Sequence, residues 1–220
     1  MTHGVILLFY PNRYIRTNKV NRLPPPAETI TRGDLRVARA TKPFQRSAVV
    51  WMTGLSAAGK STIARHVADE LQTQGRRAYI LDGDELRSGL CSDLGFSLED
   101  RAENVRRAAE VARALFATDL TVFCTFISPL EIHRSAARSI VGGDDFLEVY
   151  VQTPIEECIA RDPKGLYRRA LDGEILDFTG ISSPYEAPLN PELVIDTSEQ
   201  TLDACVRSVL ELLDAHTSRP

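Results

Sequence analysis

A three-layer α/β fold, with helices on both faces of a five-stranded parallel sheet, is the architecture this sequence predicts, and three observations carry it. Short apolar, β-branched runs alternate with stretches of helical periodicity from Val49 to Leu213. The first run, Val49-Val50-Trp51, empties into Gly54-x-x-x-x-Gly59-Lys60-Ser61 and then into an amphipathic helix. The second run ends on Asp82-Gly83-Asp84, at the carboxyl end of a strand, where open parallel sheets bind their ligands.

The glycine and lysine spacing is that of a P-loop, and it stands in the strand-to-helix context such a loop requires. A tight turn lets consecutive backbone N–H groups wrap a phosphate, with the positive end of the following helix aimed at the same anion. In this arrangement Lys60 reaches the β- and γ-phosphates of a nucleotide and the Ser61 hydroxyl is placed to ligate Mg²⁺. The fold class is therefore read as the P-loop NTPase fold.

Taken in order, Ile63, Ala64, Val67, Ala68 and Leu71 fall at helical spacing, with Gly75 as a stop. His66 lies on the outward side of that helix and is assigned no chemistry. Ala78 to Leu81 is a second strand. The Asp82-Gly83-Asp84 step after it reads either as a turn, since Asp and Gly tolerate turn backbone, or as paired carboxylates facing the phosphate loop. Phosphoryl transfer to a hydroxyl favours the second reading, because it needs a carboxylate at the acceptor. Ser97-x-x-Asp100 has the form of a capping box and opens a helix to about Phe116, with Ala102, Val105, Ala109, Ala112 and Phe116 as its buried stripe. Arg101 and Asn104 are neighbours near its start.

Leu120 to Ile127 is a third strand, ended by Ser128-Pro129, and a new helix begins near Leu130. Phe146 to Val151 is a fourth strand, followed by a helix from about Pro154 to Arg161. Residues 162–188 lack periodicity and carry Lys164, Arg168, Arg169 and Phe178 among glycines and prolines, the composition of a lid or loop. A fifth strand, Leu193 to Ile195, and a final amphipathic helix from Leu202 to Leu213 complete the pattern.

The chain has 220 residues, 43% hydrophobic and 25% charged, as expected of one ordinary domain with extra sequence attached. Its net charge of −4 argues against nucleic-acid binding. The charge is uneven. Residues 1–46 hold nine Lys or Arg against two Asp or Glu, giving +7 and leaving −11 to residues 47–220. With Pro24-Pro25-Pro26 this reads as a basic N-terminal arm or linker: a solvated tail, a partner-binding arm or an organelle leader. Val5 to Tyr10 is too short to span a membrane. The four separated cysteines fit reduced thiols of a cytoplasmic protein better than a zinc site.

From about Ile30 onward, the succession G-L-S-A-A-G-K-S, L-D-G-D-E-L-R-S-G-L, D-L-G-F-S, D-R-A-E-N-V-R-R, F-I-S-P, R-D-P-K-G-L-Y and D-F-T-G-I-S-S-P-Y-E-A-P closely resembles adenylylsulfate kinase, the APS kinase of sulfate assimilation. The resemblance implies ATP-dependent phosphorylation of the 3′-hydroxyl of adenosine 5′-phosphosulfate (APS), giving PAPS and ADP. It implies that Gly54, Leu55, Ser56, Ala57, Ala58, Gly59, Lys60, Ser61 and Thr62 bind the ATP phosphates with Mg²⁺, and that Arg161 and Arg168 belong to a lid over ATP. Asp84, with Asp82 nearby, is implied at the acceptor hydroxyl. Arg87, Arg101 and Asn104 are implied to grip the phosphosulfate nucleotide, Phe96 and Phe178 to sandwich its adenine, and Ile127, Ser128, Lys164 and Leu166 to line the same pocket. Ser128 also matches the serine treated in the family as a phosphoserine intermediate, although direct transfer to one positioned hydroxyl needs no covalent relay. Family members often form homodimers.

Four departures stand out against the family pattern: Ala57 for a usual Gly, Glu85 for Asn, Cys91-Ser92 for Asn-Arg, and Thr125 for Ala. Ala57 is expected to be tolerated only if its backbone does not need φ > 0. Two rival readings accompany this one: a small P-loop kinase for another hydroxyl acceptor, and a non-catalytic nucleotide-binding or scaffolding subunit attached to an ATP sulfurylase through the basic arm.

Overall fold

The computed structural model describes residues 46–218. Except for Arg46, the basic arm lies outside the described residues. Five strands, β1 (Val49–Thr53), β2 (Ala78–Asp82), β3 (Thr121–Thr125), β4 (Phe146–Gln152) and β5 (Leu193–Asp196), form one sheet in the order β2-β3-β1-β4-β5. Every pairing is parallel, with Val50 opposite Phe123 on one side and Leu147 on the other.

β1 is central and buried along its whole length. A strand covered on both sides needs apolar residues at every position, which is why its run does not alternate. Val50 and Met52 join Ile63, Ala64, Val67 and Leu71 of α1 (Lys60–Thr73) and Val209 and Leu213 of α7 (Leu202–Thr217) in one core. Val49 and Trp51 join Val105, Ala108, Ala109 and Ala112 of α3 (Leu98–Phe116) and Ala137 of α4 (Glu131–Val141) in the other. Trp51 stacks on Phe146 at 5.5 Å between ring centres, so the sheet's middle is anchored by aromatic contact as well as burial. All four cysteines are buried free thiols. Among the described residues, no helix is long and apolar enough to cross a membrane.

Three elements differ from the sequence expectation. Asp82-Gly83-Asp84, for which a turn is the less favoured reading beside paired carboxylates, starts a short helix, α2 (Gly83–Ser88), that the sequence does not mark: the Asp82 carboxylate caps it by accepting the Asp84 amide at 3.0 Å, and Asp84 and Glu85 sit in its first turn. The 162–188 segment contains α6 (Leu166–Leu171), whose entry is held by the Asp162 carboxylate accepting the amides of Tyr167 and Arg168. Six residues are too few to show a period, so this helix is invisible to pattern reading. The stripe of α3 is also shifted. Arg101, Asn104 and Ala108 are buried, whereas Ala102 and Phe116 are only half-buried. Ser97 caps α3 through the Asp100 amide, but Asp100 reaches back to the Gly95 amide instead of closing the box on Ser97. The helix before the 162–188 segment, α5, spans Ile155–Arg161.

Candidate active site

The loops after the strands surround a cleft of about 1160 Å³. On its floor, the chain leaves β1 through Gly54 at φ +149, where an added Cβ would lie 2.4 Å from the Val151 carbonyl oxygen. Only glycine fits so close to β4. Gly59, at φ +104, opens α1. Ala57 has φ +60. The expectation that alanine is tolerated there only without positive φ is therefore overturned: the phosphate loop holds an L-residue in the left-handed region, at a steric cost of about 1 to 2 kcal/mol.

Two residues not anticipated from sequence stiffen the loop. Thr153 and Thr197, just past the ends of β4 and β5, both donate hydroxyl hydrogen bonds to the Ala58 carbonyl, at 3.2 and 3.0 Å. Their position beyond a strand end was the only available signal. Arg161 donates to the Thr197 hydroxyl and carbonyl, which ties the end of α5 to the same spot.

Lys60 is buried and donates to the Gly54 and Leu55 carbonyl oxygens at 2.9 and 2.7 Å. Burial lowers its pKa to about 8, against the opposing pull of Cys158, Asp82 and Asp84. Next to it the Ser61 hydroxyl donates to Asp82 Oδ2 at 2.7 Å, and the Thr125 hydroxyl donates to the same oxygen at 2.9 Å. Burial alone would raise the Asp82 pKa, but the bonds from Ser61, the Asp84 amide and Thr125 hold it below the ordinary carboxylate value. The Thr-for-Ala departure thus adds a donor to this carboxylate. Thr62 is exposed on the first turn of α1, and the Ser56 carbonyl accepts from Tyr167 Oη at 3.1 Å.

Asp84 and Lys164 form an ion pair at the cleft wall. The Arg87 guanidinium lies over the Phe96 ring at 4.4 Å and donates to the Gly95 carbonyl. Arg101 is 9% exposed, and its guanidinium has protein acceptors on all sides: the Phe96 carbonyl at 2.9 Å, Thr179 Oγ1 at 3.1 Å and the Asp177 carbonyl at 2.6 Å. It stitches α3 to the 162–188 segment, and an anion bound there must share or replace one of these acceptors. Asn104 is buried with its Nδ2 unpaired among the described residues. Phe178 is buried edge-on against Tyr167, with ring centres 5.0 Å apart. Ser128 is buried at φ +37, and its Oγ accepts the Trp51 indole N–H at 3.1 Å.

Of the residues singled out in the sequence, Ser56, Ala57, Gly59 to Thr62, Asp82, Asp84, Arg87, Phe96, Arg101, Asn104, Ile127, Ser128, Arg161, Lys164, Leu166 and Phe178 line this one cleft. Gly54, Leu55 and Ala58 form the loop behind it. Arg168 is exposed on α6 and does not line the cleft, whereas Arg169 does.

A parallel α/β sheet that gathers a phosphate loop, its lysine and serine, and two carboxylates around a single crevice defines a P-loop phosphotransferase. A family profile described as adenylylsulphate kinase matches residues 46–196, and the chain belongs to that family. An adenylyl-sulfate kinase from Shewanella amazonensis is 54% identical over 175 residues, covering 80% of this chain and 88% of that protein. The bifunctional enzyme NodQ of Rhizobium tropici is 52% identical over 165 residues, 75% of this chain but 26% of NodQ. Among solved structures, the APS kinase of Mycobacterium tuberculosis in complex with AMPPNP and APS superposes with a TM-score of 0.74 at 48% identity, covering 77% of this chain and 98% of that one.

Proposed function

We propose that residues 47–220 form an APS kinase domain that transfers the γ-phosphoryl group of ATP to the 3′-hydroxyl of APS, releasing ADP and PAPS. The observation that carries this is the meeting of Lys60 and Ser61 with Asp84, Lys164, Arg87 and Phe96 in one cleft, in a chain of the adenylylsulphate kinase family. The relative solved with AMPPNP and APS supports assigning both nucleotides to it.

The phosphate loop and Lys60 hold the ATP tail, and Lys60 exchanges its carbonyl partners for phosphate oxygens. The Ser61 hydroxyl and the Asp82 carboxylate, already bonded to each other, are an oxygen donor set suited to Mg²⁺, which takes one or two protein oxygens with phosphates and water. When bound there, Mg²⁺ would supply neutralisation of the phosphate charge. Asp84 accepts the proton of the 3′-hydroxyl as its oxygen bonds the γ-phosphorus and the bond from that phosphorus to the β–γ bridging oxygen breaks. Lys164 holds Asp84 in place and screens its charge from the phosphates. Arg87 supplies positive charge for the phosphosulfate, and the Phe96 and Phe178 side chains supply aromatic surface for the adenine. Ser128 is a pocket residue, since its oxygen is already engaged by Trp51.

A coupled assay of ADP release, run with and without APS, tests the reading. ADP formation that depends on APS is expected. ADP release indifferent to APS would refute it.

A further inference from the structure

Behind Ser128 lies a charged ladder that the reaction does not touch. Arg134, on α4, is 1% exposed and makes three hydrogen bonds: Nε to Glu148 at 2.8 Å, Nη2 to Glu131 at 2.6 Å, and Nη1 to the Ser128 carbonyl at 2.9 Å. Glu148, on β4, is itself 5% exposed and is flanked further out by Arg138, which pairs with Glu192 at 2.8 Å. A buried ion pair of this kind is poor at adding stability, because desolvation cancels most of the attraction and apolar residues of the same size do as well. Its geometric effect is specific, however. The guanidinium fork can face Glu148 and the Ser128 carbonyl together only in one orientation.

That carbonyl belongs to a backbone in need of restraint. Ser128 is a non-glycine residue at φ +37, a conformation costing on the order of 1 to 3 kcal/mol that persists only when its surroundings enforce it. Three restraints converge from two elements, β1 and α4. Trp51 on β1 donates to the Ser128 hydroxyl, Thr53 at the end of β1 donates to the Ile127 carbonyl at 2.7 Å, and Arg134 takes the Ser128 carbonyl. Ile127 and Ser128 are both in the cleft wall.

We propose that Arg134, braced by Glu148, is a positioning residue that clamps the strained Ile127-Ser128 backbone and so shapes the acceptor side of the cleft. The role rests on the proposed APS kinase reading for its kinetic consequence, but not for its structural one. Trp51 is the protein's single tryptophan, and its indole N–H bonds the clamped serine. Its fluorescence therefore reports on the clamp without any turnover.

The test compares Arg134→Lys, which keeps a charge for Glu148 but loses the fork, with Arg138→Gln, which removes the outer pair to Glu192, the 3.5 Å contact with Glu148 and the bond to the Phe146 carbonyl but leaves every contact of Ser128 in place. For Arg134→Lys the expected result is a roughly tenfold rise in KM for APS, equivalent to one lost hydrogen bond to a charged group. AMPPNP affinity should stay within about twofold, and the Trp51 emission should be altered. Arg138→Gln should lower the melting temperature while leaving KM for APS as in the wild type. Should Arg134→Lys fail to fold, Glu148→Gln, which keeps the volume and an acceptor but loosens the arginine, is read by the same criteria. Unchanged Trp51 emission and KM in Arg134→Lys would overturn the proposal. So would losses of APS and nucleotide affinity that simply track melting temperature in both variants. A wild-type protein that never uses APS, with Trp51 emission still responding to Arg134→Lys, would refute the function and leave the clamp standing.

Discussion

Lys164 and Asp84 form an ion pair at the cleft wall, joining the residues just before α6 to the first turn of α2. Both side chains are more than half exposed, so the pair adds little to stability. Its value lies in setting the carboxylate's position. Lys164→Met is expected to move the urea midpoint by an amount corresponding to less than about 0.5 kcal/mol. It should lower kcat/KM for APS roughly tenfold, the weight of one charge-assisted contact. Parallel urea melts and steady-state kinetics check both.

Arg101 gives the opposite balance. Two of its three acceptors tie α3 to residues 177 and 179 from a nearly buried position, and the third is the Phe96 carbonyl just before the helix. Arg101→Ala is expected to cost about 3 kcal/mol of stability, because it leaves buried acceptors unpaired. It should also weaken APS binding much more than ATP binding. Calorimetric titration with each nucleotide, below the variant's melting temperature, separates the two effects.

Lys60 gives a pH dependence. Burial lowers its pKa from an ordinary 10.5 to about 8. Below about pH 8 the free protein carries the ammonium that phosphates require, so ATP affinity should fall as pH rises through that value. Stability moves the other way. Between about pH 8 and 10.5 the unfolded chain holds more protons at this lysine than the folded one does, so its contribution to stability rises with pH. The difference between wild type and Lys60→Met, in ATP titrations and in melts from pH 7 to 10, isolates both trends.

Ala57 carries a left-handed backbone at φ +60. Replacing it with glycine removes about 1 to 2 kcal/mol of strain and adds about 0.4 to 1 kcal/mol of unfolded-state entropy. Ala57→Gly should therefore stabilise the protein by about 0.5 kcal/mol, with turnover retained, as a urea titration and an activity assay would show.

Much of this was legible before the fold was known, for physical reasons. The two-sided burial of β1 shows as an unbroken apolar run, and the phosphate loop shows as the spacing of Gly54, Gly59, Lys60 and Ser61 between a strand and a helix. Short or purely spatial features leave no such mark. Asp82-Gly83 has the same composition whether it turns the chain or caps α2, and α6 is too brief to display a period. Thr153 and Thr197 become partners of Ala58 only when β4 and β5 lie side by side. The burial of Arg101 and Arg134 leaves no mark in the helical pattern, because a buried guanidinium is recognised by its acceptors, most of which come from other parts of the chain.

The most direct measurement is the chemical identity of the product. Wild-type protein and Lys60→Ala are each incubated with Mg²⁺, ATP and APS, and the nucleotides are separated and analysed by mass spectrometry. The wild type should convert APS to a species heavier by one phosphoryl group at the 3′ position, with one ADP formed for each. Lys60→Ala should be slower by about 100- to 1000-fold, as expected for loss of a charge-stabilising donor. ATP consumed without any phosphorylated APS, or full activity in Lys60→Ala, would contradict the account.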